Sequence, residues 1–113
     1  LTNMVTYNEF NEFNVLNVSE FPMLNGLNYD QALIELRKFN ILLMSVKVVL
    51  DDEDGNPIID NRLIEVAVKA IGLNRQIITN PVNDAENSYT IKERDQVIVL
   101  NSCAENLEIC KVA

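Results

Sequence analysis

Residues 28–49, NYDQALIELRKFNILLMSVKVV, hold a helix, its stop and a strand in one continuous stretch. Asn28 stands where a helix N-cap belongs, and Gln31, three residues on, can reach back to the backbone as in a capping box. Asp30 in the first turn suits the positive end of the helix dipole, and Arg37 with Lys38 in the last turn suits the negative end. Tyr29, Ala32, Leu33 and Leu36 fall at i, i+3, i+4 and i+7, so a helix over 29–39 turns one apolar stripe to a core. Ile34 lies off that stripe and reads either as an ordinary exposed apolar residue or as part of a second face that meets another protein. Asn40 can take the left-handed conformation that ends a helix. Ile41 to Val49 then runs almost wholly apolar with β-branched enrichment, which predicts a central strand covered on both faces.

Towards the N-terminus, Phe13, Val15, Leu16 and Val18 alternate with polar residues and predict a strand over 13–20, with Pro22 and Gly26 punctuating the approach to the helix. Residues 1–12 show no clean period and read as an arm or a short edge element. Towards the C-terminus, residues 51–57 form an acidic turn in which Asp54-Gly55 is the strongest hairpin signal of the chain, and Ile58 and Ile59 are expected to begin the return strand. Residues 62–73 (RLIEVAVKAIGL) fit two periods. Ile64, Val66, Val68 and Ala70 alternate as in a strand, whereas Leu63, Ala67, Ala70 and Ile71 make a helical stripe with Asp60 or Asn61 as cap and Gly72 as stop; the helix is the preferred reading. A strand over 76–79 broken by Asn80-Pro81, a polar loop over 82–87, a hairpin pairing 88–91 with 97–100, and a terminal helical turn over 103–110 complete the chain.

A length of 113 residues without a long linker predicts one domain over 1–113. Nine basic against seventeen acidic residues give a net charge of −8, which repels phosphate backbones and argues against a nucleic-acid partner. No run of about 18 apolar residues offers direct membrane insertion. Two cysteines and no secretory pattern point to a reduced, cytoplasmic compartment, and an opening Leu1 suggests a piece of a longer polypeptide.

The chain has no His, and with it lacks the commonest general base and transition-metal ligand. Asp51, Asp52 and Asp54 offer carboxylates to a divalent cation such as Ca²⁺ or Mg²⁺. An EF-hand loop with Gly55 at its sixth position would need acids at 50 and 61, where the chain has Leu50 and Asn61. A solvated hairpin tip is the alternative reading. Cys103 and Cys110 match no zinc spacing and fit a helical stripe as core residues. The three glycines stand too far apart for a phosphate-cradling loop, although a small ligand can still bind at a subunit junction.

Taken in order, four segments resemble the C-terminal module of the regulator-of-potassium-conductance family, also called TrkA-C. They are Gly26 to Leu33 (GLNYDQAL), Ile41 to Val46 (ILLMSV), Ile77 to Pro81 (IITNP), and Tyr89 to Leu100 (YTIKERDQVIVL), in which an acid precedes the last apolar strand. Residues 51–75 form an insertion relative to the compact family pattern, Arg94 replaces the usual final-turn glycine, and no second proline follows Asn80-Pro81. The resemblance implies a non-enzymatic, cytoplasmic regulatory domain that pairs as a homodimer and controls gating of a potassium channel or transporter, tethered to the membrane through the rest of that complex. A nucleotide or a divalent cation would be its regulatory ligand, with Leu43, Ser45, Asn80 and Pro81 facing it by position and the 29–39 helix available for subunit contact. The alternatives are a ligand-independent oligomerisation module and a small metal-dependent hydrolase using the acidic turn. The expected architecture is α+β, a mostly antiparallel sheet of about five strands with one main helix packed on it.

Overall fold

In the computed structural model, residues 10–81 and 84–113 are described. The arm expected over 1–12 lies mostly outside them, as do Val82 and Asn83 of the expected polar loop. The fold is α+β, built on a four-stranded antiparallel sheet whose strands are β1 (Glu12–Asn17), β2 (Ile41–Lys47), β3 (Ile77–Ile78) and β4 (Gln96–Asn101), ordered β1-β4-β2-β3. Four helices accompany it among the described residues: α1 (Tyr29–Arg37), α2 (Asn61–Ala70), α3 (Asp84–Ser88) and α4 (Ala104–Lys111).

The decisive stretch folds as read. The Asn28 side chain accepts from the Gln31 backbone N–H at 2.9 Å while the Gln31 side chain accepts from the Asn28 N–H at 3.0 Å, closing the capping box at the start of α1. Asn40 takes φ 57° and turns the chain into β2. Tyr29, Ala32 and Leu36 are buried and Leu33 is half-buried, so the stripe docks on the sheet.

Burial and register divide the sheet into two unlike faces. Leu16, Ile41, Leu43, Val46, Ile78, Val97 and Val99 lie on the inner face and are buried under α1 and the short turns at 18–20 and 22–24. The residues between them in register, Phe13, Val15, Leu42, Ile77, Ile98 and Leu100, form an outer face that no helix among the described residues covers. A β-bulge between Leu43 and Ser45 lets β2 place both Leu43 and Val46 inward, and it leaves Met44 43% exposed. The continuous apolar run therefore does not mark a strand covered on both faces. β2 is central, between β4 and β3, but among the described residues no helix packs on its outer side, where Leu42 and Lys47 are half-buried and the small Ser45 is buried between its neighbours.

Three other expectations are corrected. The first strand ends at Asn17: the Val18 N–H still donates to the carbonyl of its register partner Asp95 at 3.0 Å, but the Asp95 N–H turns away to the Lys92 carbonyl at 2.9 Å, and 3₁₀ turns then carry Val18, Phe21 and Leu24 into the core. Ile58 and Ile59 form no return strand: one bridge, Asp51 to Pro57, closes the acidic hairpin before Asp60 caps α2, its side chain accepting from the Arg62 N–H at 2.8 Å. Residues 88–91 are not a hairpin arm, since α3 occupies 84–88 and Ile91 exchanges backbone hydrogen bonds with Gly26 and Leu27 at 2.8 Å each. With these losses the sheet has four strands, and α2, α3 and α4 join the expected main helix α1.

The helical reading of 62–73 holds. A strand would have put Val66 and Val68 on one face, whereas Val68 is 1% and Val66 67% exposed. Gly72 stops the helix at φ +87°, a conformation that side chains with a Cβ rarely adopt. At the C-terminus Cys110 is buried as expected. Cys103 is exposed instead of in the core, because it stands in extended conformation at the N-cap of α4.

Candidate functional site

The outer face ends in a polar row. Asn17 pairs in register with Gln96, and Gln96 with Lys47, so three polar side chains sit where β1 and β2 finish and β4 begins, beside the acidic hairpin. The Gln96 amide donates to Asn17 Oδ1 at 3.0 Å, and the Gln76 amide to the Val48 carbonyl at 3.0 Å. Between this row and the hairpin lies an open cavity of about 330 Å³. Its polar rim is Asn17, Lys47, Gln76, Arg94 and Gln96, and Val49, Pro57, Ile58 and Ile59 form its apolar wall.

In a chain of net charge −8 this cavity stands out by sign, because two cations and three amides line it and no carboxylate does. Arg94 is paired with Asp51, which fixes the guanidinium at the mouth, while Lys47 has no ion pair among the described residues. Such a rim can bind an anionic group, and the apolar wall can take a flat or aliphatic body.

Arg94 owes its position to Asp95, which is 1% exposed. Asp95 Oδ1 accepts from the Val49 N–H at 3.0 Å, and Oδ2 accepts from the Lys92 N–H at 3.0 Å and from the Tyr89 hydroxyl at 2.5 Å. One carboxylate thus ties Val49 just after β2, the 92–95 turn and Tyr89 together next to Arg94. Burial, then the hydrogen bond and negative charge of Asp95, hold the Tyr89 hydroxyl far above the ordinary phenol range. Burial alone pushes the Cys110 thiol up to about 11. Both groups are neutral in the fold and ionise more readily once unfolded, so the contribution of Cys110 is present below about pH 9 and lost as the pH rises through about 11, and that of Tyr89 falls away at still higher pH. The melting temperature, followed by circular dichroism, is therefore expected to be flat from about pH 7 to 9 and to fall above it.

The residues expected to face a ligand do not converge. Leu43 is on the inner face opposite Val99, Ser45 is buried opposite Ile98 on the other face, and Asn80, with φ 46°, and the half-buried Pro81 lie on the turn after β3. Two carboxylates of the acidic turn are spent locally. Asp51 holds Arg94, and Asp52 Oδ1 accepts from the Asp54 and Asn56 N–H groups at 2.9 Å each. Among the described residues, no three His, Cys, Asp or Glu side chains are grouped to hold a metal ion, and Asp51, Asp52 and Asp54 are no exception. The cavity residues escaped sequence reading because Lys47, Gln76, Arg94 and Gln96 come from three separate segments; the one available signal was Lys47, a lone charge inside an apolar strand.

No family model matches the chain, and no curated protein matches it. No helix among the described residues is long and apolar enough to cross a membrane.

Proposed function

We propose that this chain is a ligand-sensing, self-pairing regulatory domain of a potassium channel or transporter, acting without covalent chemistry from the cytoplasmic side. The resemblance supplies the class. What supports a ligand role is the cation-rimmed cavity at the end of an uncovered apolar sheet face, which favours an anionic ligand with a hydrophobic body, such as a nucleotide, over a divalent cation. A ligand there lies next to a surface available for pairing, so it shifts the population of paired arrangements by its differential affinity for them.

Thermal unfolding with ATP, AMP, inorganic phosphate and Ca²⁺ tests this. A nucleotide at a hundredfold excess over its Kd is expected to stabilise by about 2.7 kcal/mol, a rise in Tm of several degrees. The Lys47→Gln, Arg94→Gln double variant is expected to lose that rise while keeping its own Tm within a few degrees. A shift with Ca²⁺ alone, or a nucleotide shift that survives the double variant, refutes the cavity as the site. Self-pairing with no response to any of the four would leave a ligand-independent oligomerisation module.

A further inference from the structure

Helix α2 is apolar over more of its circumference than its own domain uses. At 100° per residue, Ile64 and Val68 mark one edge of the apolar arc, and Leu63, Val66 and Ala70 mark the other, with Ala67 between them. Val68 is 1% exposed and Ile64 is half-buried against the core, whereas Leu63 is 58% and Val66 67% exposed, with Ile71 at 45% just beyond the helix. Glu65, Lys69 and Arg62 fill the remaining side, so the exposed stripe is a defined second face rather than scattered apolar residues.

The sheet presents the matching deficit. Helix α1 packs on the inner face, and the outer one exposes, among the described residues, Phe13 (66%), Val15 (51%), Met44 (43%) and Ile77 (41%) around the half-buried Leu42, Ile98 and Leu100. An antiparallel sheet with one apolar face uncovered lacks a layer, and an amphipathic helix is the element that supplies one.

We infer that the exposed stripe of α2 packs on the outer sheet face of a second copy of this chain, and that the second copy returns its own α2 to the first. This rests on the self-pairing reading above and names its surfaces. Area selects the arrangement. Each patch consists of only three or four side chains exposed by 41–67%, too few to reach by itself the roughly 800 Å² per partner of a standard stable interface, and the two together come closer to it. Helix against helix, or sheet against sheet, buries one patch per copy and leaves the other in water. Reciprocal exchange buries both under a single two-fold axis, each residue i meeting j and each j meeting i. The polar row of Asn17, Gln96 and Lys47 then falls at the rim of this interface.

Sedimentation of the full chain, together with disulfide trapping, tests the assignment. The native protein is expected to sediment as a dimer, and Val66→Glu and Phe13→Glu are each expected to raise the dimer Kd at least a hundredfold with Tm nearly unchanged. In a Cys103→Ser background, Val66→Cys mixed with Val15→Cys is expected to form the mixed disulfide in preference to either homodimer. A Val66→Cys homodimer as the main product would instead place helix on helix, and a Val15→Cys homodimer sheet on sheet. Either result, or a dimer untouched by Val66→Glu, overturns this inference while self-pairing stands. A native monomer at 100 μM overturns both.

Discussion

Replacing Asp95 by Ala is expected to cost about 4 kcal/mol of folding stability, measured by urea unfolding, and to abolish nucleotide-induced stabilisation in the same protein. Two backbone N–H groups, of Val49 and Lys92, and the Tyr89 hydroxyl all donate to this one carboxylate, which is 1% exposed, and no second acceptor on the side chain remains after truncation. A buried donor left without an acceptor costs roughly 1 to 3 kcal/mol, so the three together take a large share of the roughly 5 to 15 kcal/mol that holds a domain folded. Asp95→Asn is the sharper probe. It keeps the oxygen facing Val49 but turns an amide N–H₂ towards two donors, and about 2 to 3 kcal/mol should be lost without any change in volume. Tyr89→Phe removes a single bond, and a loss near 1 kcal/mol is expected. If Asp95→Asn were as stable as the native chain, the carboxylate would not be the pin that sets the 92–95 turn and, with it, Arg94.

The contrast between Asp95 and Lys47 shows what was legible in the chain. An acid immediately before an apolar strand can be read locally, because the turn it closes is only four residues long, and Asp95 duly pairs with Lys92 three residues away. Helix α1 was equally legible, since its cap, dipole charges and stripe all lie within residues 28–39 and agree with one another. What local pattern could not give is which partner each face meets. ILLMSVKVV reads as doubly covered because period and composition are the same whether the second layer is present in the chain or absent from it. The same blindness turned 88–91 into a strand: Tyr89 and Ile91 have strand-forming side chains, but the backbone of Ile91 is claimed by Gly26 and Leu27, more than sixty residues earlier. The cavity was beyond reach for the same reason, its rim being assembled by sheet register rather than by spacing.

On α1 two aliphatic residues two positions apart should behave as opposites. Leu36 is fully buried and belongs to the cluster that joins the helix to Ile41, Leu43 and Val46 on the inner face, so Leu36→Ala is expected to cost about 3 kcal/mol through lost transfer energy and the cavity left behind. Ile34 is 61% exposed, and Ile34→Ala is expected to move stability by no more than about 0.5 kcal/mol. The pair also separates the two readings of Ile34. If Ile34→Ala leaves both urea stability and the sedimentation of the full chain unchanged, Ile34 is an ordinary surface residue and α1 serves the fold alone. A dimer weakened by Ile34→Ala with monomer stability intact would move the pairing surface from the outer sheet face to this helix. Because α1 packs on the inner face and the cavity rim lies on the outer, Leu36→Ala is expected to lower Tm without altering the increment that a nucleotide adds, so long as the variant remains folded. Loss of that increment in a folded Leu36→Ala protein would show that the two faces of the sheet are coupled through β2.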